Sequence, residues 1–525
     1  MYVHDVAVIG AGPVGLAAAA NLSLRGLSFV VLERGPEVGY AFRQWGHVRV
    51  FSPWRYNIDK AARQILLRHG WRAPDDDALP TGHEIVDQYL RPLGATDELA
   101  GAIRFNERVT SIGRRNFDKV RTEGREVQPF EVRTETGAIY FARSVIDASG
   151  TWFSPNPMGS GGRFARGEGE VQDRVVYGIP DVSGASRPRY AGRRTLVIGA
   201  GHSAINSVLD LVALAKDVPN TSVIWALRRD NPSTVYGGEA VDALPARGAL
   251  GSSARRAVES GTVQLLTPFR VEAVERRHDA LRVVGDLQGR EHAIEVDEII
   301  VATGFRPDIE MLREVRIGLD PWLETTPALA PLIDPNVHSC GTVRPHGHRE
   351  LSHPEMNFFI VGAKSYGRAP TFLMATGYEQ ARSVVAALAG DLEDADRVQL
   401  DLPETGVCGV SSKRTVAEEK SEMAEETGCC GGPAPEVADA CCVRDAEAKA
   451  AGEKGCGCGT EAPEQHPVTV EATGCCGGPA PSGVDACCVK DADAKAAGEA
   501  GCGCGSTKPP VVERAQAETA ACCGA

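Results

Sequence analysis

Cysteine is nearly missing from the first 400 residues of this 525-residue chain. Cys340 stands alone there, and the other fifteen fall between Cys408 and Cys523. A secreted disulfide scaffold would spread its cysteines through the folded part, so that class is excluded and reduced thiols in cytoplasm are expected. Aromatic residues stop at Tyr378, which leaves the last stretch little from which to build a core. No apolar run is long enough to cross a bilayer, and no basic leader precedes the first apolar segment. The expectation is a cytoplasmic protein, neither exported nor membrane-bound. A strong charge is also missing from the body of the chain. The net charge is −14, but residues 401–525 alone hold 21 acidic against 10 basic side chains. That balance argues against nucleic acid or an anionic membrane as partner. A small-molecule substrate is expected, and a homodimer is left open.

What is present begins at once. Val6 to Ile9 is a short apolar run of the buried, parallel-strand kind, and it leads into Gly10-Ala-Gly12-Pro-Val-Gly15 and an Ala/Leu-rich helical segment. This is G-x-G-x-x-G with a strand before it and a helix after. Gly10 allows the tight turn, Gly12 lets a pyrophosphate approach the backbone, and Gly15 lets helix and strand pack closely. A second apolar strand, Ser28–Leu32, ends in Glu33, where a ribose-binding acid belongs, with Arg34 next to it.

Residues 34–57 are dense in aromatic and cationic side chains and lack a regular period. Two readings fit: an active-site lining, with Arg43, Trp45 and His47 as the candidates to face a bound ring, or a loop packed under the first sheet with Trp45 and Trp54 as core anchors. Thr81-Gly-His-Glu84 fits a capping box opening a helix over Ile85 to Leu93. Short alternating runs at 103–105, 109–112, 130–132 and 139–141 predict a small antiparallel insertion. Ser144 to Asp147 is an apolar strand ending in Ala-Ser-Gly150, and a Gly/Pro/Ser-rich connector follows over about 153–190.

The second organising stretch, Thr195-Leu-Val-Ile-Gly199-Ala-Gly201-His-Ser-Ala204, is again strand, G-x-G-x-x-A, helix. Its next strand, Ser222 to Leu227, ends in Arg228-Arg229 rather than an acid. Paired guanidiniums suit a ribose 2′-phosphate, which favours NADPH over NADH; a solvated strand end is the alternative. Glu298 to Val301 is a buried strand running into Ala302-Thr303-Gly304. Asn357 to Val361 is another, ending at Gly362, with a helix expected over Thr371 to Leu388.

Two near-identical copies start at Thr427 and Thr473. The first carries Cys429 and Cys430, Cys441 and Cys442, Cys456 and Cys458. The second carries Cys475 and Cys476, Cys487 and Cys488, Cys502 and Cys504. Adjacent and one-apart thiols suit soft ions such as Cu(I), Zn(II) or trivalent arsenic, while the spacing differs from a zinc ribbon. A low-complexity extension without a specific ligand is the alternative. The expected architecture is α/β, with two nested Rossmann-like dinucleotide-binding domains and a disordered Cys-rich C-terminal tail. Its bounds are 1–185 with 300–390 for the first domain, 190–299 for the second, 391–426 for a linker and 427–525 for the tail.

The two motifs, with the second unit inserted in the first, resemble the two-domain FAD/NAD(P)H flavoproteins over roughly residues 1–390. That group includes disulfide and thioredoxin reductases and flavin-containing (class B) monooxygenases. The resemblance implies that Gly10, Gly12, Gly15 and Glu33 serve FAD and that Gly199, Gly201, Ala204, Arg228 and Arg229 serve NADPH. Arg34, Gly150, Thr303, Gly304 and Gly362 are further cofactor-binding candidates, and 147–150 and 302–304 match the small-residue strand ends placed at the domain crossovers. With one cysteine before residue 400, a core dithiol relay is excluded, whereas a monooxygenase needs none. The chain departs from the monooxygenase pattern where F-x-G-x-x-x-H is usual: Val176-Tyr-Gly-Ile-Pro-Asp-Val-Ser has no histidine in place. Combined with the tail, the chain is similar to flavin monooxygenase-like proteins of bacterial arsenic-resistance clusters. This implies an FAD- and NADPH-dependent monooxygenase acting on metalloids. A thiol-independent reductase of small disulfides, or a metallothionein-like protein with a redox-sensing flavin core, are the alternatives.

Overall fold

The computed structural model describes residues 2–237, 245–337, 345–369 and 372–400. The longer helices are α1 (Pro13–Leu24), α2 (Lys60–Arg68), α3 (His202–Asp217), α4 (Pro245–Glu259) and α5 (Met374–Leu388). Strands β1 (His4–Ile9) and β2 (Phe29–Leu32) pair in parallel around α1, with Val6 opposite Phe29 and Ile9 opposite Leu32. Helix α1 has no polar face, since every residue from Pro13 to Leu22 is buried. A helix apolar all round must be covered all round. The sheet covers one side, and α2 and α5 pack on the others.

The first sheet runs β3 (Ile103–Arg104), β2, β1, β6 (Ile139–Asp147), β5 (Phe130–Thr134), β4 (Val109–Arg114), with β15 (Phe358–Ile360) also on β6. Two sequence expectations change here. The run at 103–105 is no part of an antiparallel insertion, because β3 adds to β2 as a parallel edge strand. The runs at 139–141 and 144–147 are one continuous strand. Its first half pairs antiparallel with β5, and its second half lies parallel between β1 and β15. The capping box forms as expected: Thr81 Oγ1 accepts from the Glu84 N–H, and the Glu84 carboxylate accepts from the Thr81 N–H. The helix it opens starts at Gly82 and passes through a π-helical turn over Val86–Leu90.

The second sheet is wholly parallel, in the order β10 (Val263–Leu266), β9 (Ser222–Ala226), β8 (Arg194–Ile198), β14 (Glu298–Val301), β7 (Val175–Tyr177). The stretch at 153–190 is therefore more than a connector, since it supplies the edge strand β7. Helices α3 and α4 pack on one face. The other face is covered by an antiparallel meander, β11 (Phe269–Arg277), β12 (Ala280–Leu287) and β13 (Arg290–Val296), which the sequence reading did not anticipate. Burial alternates from Phe269 to Ala273 in β11, the two-residue period of a half-buried strand, and the register against β12 shifts between Val271 and Ala273.

Residues 391–400, read as the start of a linker, pack instead. Ala395 is buried, Ser383 Oγ donates to its carbonyl, and Arg25 pairs with Asp391 and Asp394. The soft-metal reading of the repeats falls on residues outside the described ones. This holds in the first copy for Cys429, Cys430, Cys441, Cys442, Cys456 and Cys458. It holds equally in the second for Cys475, Cys476, Cys487, Cys488, Cys502 and Cys504, and Cys340 lies outside as well.

Candidate active site

The ends of β1, β2, β6 and β15 converge on a cavity of about 340 Å³. Gly10, at φ +97°, makes the turn out of β1, and a Cβ there would press on the Ala148 carbonyl. At Gly12, by contrast, a Cβ would meet nothing within 4 Å. Gly12 is also the N-cap of α1, and no side chain caps that helix. Open space beside uncapped N–H groups is what an approaching pyrophosphate needs. Glu33 closes the end of β2. Its carboxylate accepts from the Ala11 N–H at 2.7 Å and the Gly35 N–H at 2.8 Å. Burial nonetheless raises its pKa. Each oxygen keeps a lone pair for a ribose hydroxyl. Gly150 and Gly362, both at positive φ, line the same cavity, as does Arg34, whose guanidinium lies 3.8 Å above the Phe153 ring.

The aromatic loop divides between its two readings. Trp54 is a core anchor, buried among the helices under the first sheet. Trp45 lines the cavity. Arg43 does not line it, because its guanidinium is held at the protein surface by Glu37 and Asp87. His47 does not line it either. Its Nε2 is buried without a hydrogen-bond partner among the described residues, and burial lowers its pKa. Five more aromatic side chains line it, Tyr40, Phe42, Trp152, Phe153 and Phe305, beside charged groups that include Glu107, Arg108 and Asp308. The rings of Trp152 and Phe305 are 4.8 Å apart, so the chain leaving β6 meets the chain leaving β14. Asn156 N donates to the Gly304 carbonyl and Thr303 Oγ1 donates to the Asn156 carbonyl, which clasps the two crossovers together. Thr303 and Gly304 thus shape the boundary rather than the cavity lining.

Sequence reasoning missed Lys364. It sits two residues past Gly362, lines the cavity, and lies 2.7 Å from Asp147 with both side chains at most 1% exposed. A lysine among small residues just after an apolar strand was the available signal.

The second cradle repeats the first. Gly199 leaves β8, and a Cβ on it would overlap the Ala302 carbonyl at the end of β14; a Cβ on Gly201 would meet open space. Gly201 caps α3, again without a side-chain cap, and Ala204 is buried in its first turn. Arg228 and Arg229 stand exposed beyond β9. Arg228 donates to the Ser160 carbonyl and Arg229 to Thr234 Oγ1, and neither pairs with a carboxylate among the described residues. The Phe51 ring lies 5.0 Å from that of His202, the first residue of α3. The lining loop of the first cradle therefore touches the second. Among the described residues no group of three or more His, Cys, Asp or Glu could hold a metal ion, and no helix is long and apolar enough to cross a membrane.

Two glycine-rich turns, each between a parallel strand and a helix, one opening into a cavity with several aromatic side chains, have the form of a pair of dinucleotide cradles. Residues 7–338 match the pyridine nucleotide-disulphide oxidoreductase family, and the chain belongs to it. It is an FAD-dependent NAD(P)H oxidoreductase of that family. Among curated proteins it is similar to the ferredoxin–NADP reductase of Thermus thermophilus, at 28% identity over 65% of this chain and 84% of that protein. It is also similar to the ferredoxin–NADP reductase of Lactobacillus gasseri, at 24% over 74% and 95%. Among solved structures, bacillithiol disulfide reductase from Staphylococcus aureus shares the fold, with a TM-score of 0.55 at 18% identity, covering 74% of this chain and 99% of that one.

Proposed function

We propose that the chain takes hydride from NADPH and passes the electrons through FAD to a small acceptor without any thiol of its own core. The observation that carries this is the pairing of an aromatic-walled flavin cavity with the absence of cysteine from residues 1–339. Bound FAD supplies the two-electron chemistry. The chain's residues supply the rest. Gly12 and the start of α1 seat the pyrophosphate, Glu33 holds a ribose, and Trp45, Trp152 and Phe305 keep water from the ring. At the second cradle Gly201 seats the other pyrophosphate, and the guanidiniums of Arg228 and Arg229, which pair with no carboxylate among the described residues, select the 2′-phosphate.

The finer reading is a monooxygenase for trivalent arsenic or an organic form of it, with the Cys-Cys repeats capturing the metalloid for the core. The aromatic side chains of the cavity and the soft-ligand repeats support it. The likeness to ferredoxin–NADP reductases favours a second reading, electron delivery to a small redox carrier or disulfide. One experiment separates them: the purified full chain with NADPH, in air and without it, offered arsenite, methylarsenite, a small disulfide or ferredoxin. Oxygen uptake coupled to arsenite or methylarsenite supports the monooxygenase. NADPH oxidation without oxygen, driven by disulfide or ferredoxin, overturns it in favour of the second reading. A chain lacking residues 401–525 that handles arsenite as well as the full chain ends the capture role.

A further inference from the structure

Lys364 and Asp147 form an ion pair withdrawn from water inside the FAD cavity. The Nζ lies 2.7 Å from Asp147 Oδ2 and 3.2 Å from Ser149 Oγ. Ser149 in turn donates its N–H and its hydroxyl to Asp147 Oδ1, at 3.0 and 2.6 Å. The lysine loop is braced from behind. Gly362 N donates to Gln380 Oε1 at 2.7 Å, and the Gln380 amide reaches Ser365 Oγ and the His346 ring. A buried ion pair gains little net stability over an apolar pair of equal volume, because both charges lose their hydration. Its presence at this point in the fold therefore calls for a use beyond stability.

An ammonium has three N–H donors. Two are taken by Asp147 and Ser149, and the third has no partner among the described residues. A buried donor left unmet is destabilising, and Lys364 lines the cavity where FAD would lie. Gly362 stands against Val14 in the first turn of α1, so the lysine loop borders the pyrophosphate cradle.

We infer that Lys364 is a cofactor-binding cation of this chain, giving its third N–H to an oxygen of FAD, with Asp147 and Ser149 as the residues that position it. The inference rests on the reading of this cavity as the FAD site. Asp147 fixes the ammonium and offsets its charge, and Ser149 orients both.

The test uses the full chain, stripped of flavin and retitrated with FAD by flavin fluorescence, alongside the reduction potential of the bound flavin. Lys364→Met leaves Asp147 buried without its partner and can fail to fold. The paired variant Asp147→Asn/Lys364→Met removes both charges and keeps the volume. The expected result is at least a tenfold loss of FAD affinity in the paired variant, with the melting temperature of the flavin-free protein little changed. Asp147→Asn alone, which leaves the cation uncompensated, shifts the flavin potential upward. A paired variant that binds FAD as the wild type does, at the same potential, overturns the inference and leaves the ion pair a structural tie. A wild-type chain that takes up no FAD overturns the cavity reading itself, and this inference with it.

Discussion

The carbonyl oxygen of Gly10 occupies the place that a Cβ on Gly15 would need. The turn out of β1 and the first turn of α1 are pressed backbone to backbone, whereas Gly12, between them, faces open space. The two glycines therefore have different tasks. Gly15→Ala forces helix and strand apart, and unfolding or a loss of several degrees in melting temperature is expected. Gly12→Ala leaves the flavin-free fold intact and weakens FAD binding at least tenfold. Thermal melts of flavin-free protein and FAD titrations, run in parallel, distinguish the two.

Arg228 and Arg229 extend from the end of β9 without a carboxylate partner among the described residues. Replacing both by alanine is expected to raise the KM for NADPH roughly 10–100-fold, the scale of one or two charge-assisted hydrogen bonds. The KM for NADH should stay within a factor of about two. Steady-state kinetics with both nucleotides checks it, and equal losses with each would remove the 2′-phosphate role.

Asp59 caps α2 through the Ala62 N–H at 2.9 Å and is fully enclosed; burial pushes its carboxyl up to about 6. Between about pH 4 and 6 the folded chain keeps a proton that the unfolded chain has released. Stability contributed by this group is therefore present at low pH and lost as pH rises through that window. Asp59→Asn keeps the cap and removes the charge. At pH 8 it is expected to stabilise the protein by on the order of 2 kcal/mol, and at pH 4 to change little. Denaturant melts at the two pH values measure the difference.

Glu355 sits between two buried guanidiniums, 2.8 Å from Arg114 and 2.7 Å from Arg125. It also accepts from the Arg316 N–H, so one carboxylate ties β4 to the chain just before β15. Glu355→Ala leaves two buried cations without a counter-charge. A loss of about 3–5 kcal/mol is expected, read as a lower denaturation midpoint. Glu355→Gln, which keeps the hydrogen-bond acceptor, should lose less.

Both glycine-rich strand-to-helix turns were legible in the sequence because each is encoded within one βα unit. The apolar strand, the glycines and the following helix constrain one another over a few dozen residues. Gly10, Gly12, Gly15 and Glu33 could be placed from that pattern alone, and so could Gly199, Gly201 and Ala204. The capping box at Thr81 and Glu84 was legible for the same reason, since its two partners are three residues apart.

What the tertiary structure decided are the relations between residues far apart in the chain. Trp45 and Trp54 have the same chemistry, and only the packing under the first sheet sends one to the core and the other to the cavity. Arg43 has the chemistry to face a flavin ring, but Glu37 and Asp87 hold its guanidinium away from the cavity. Asp147 and Lys364 are 217 residues apart and meet because β6 and β15 lie parallel in one register, Asp147 opposite Ile360. Sequence periodicity fixes which face of a strand is buried. Which strand end stands beside which is set by sheet order, and that is a property of the whole fold.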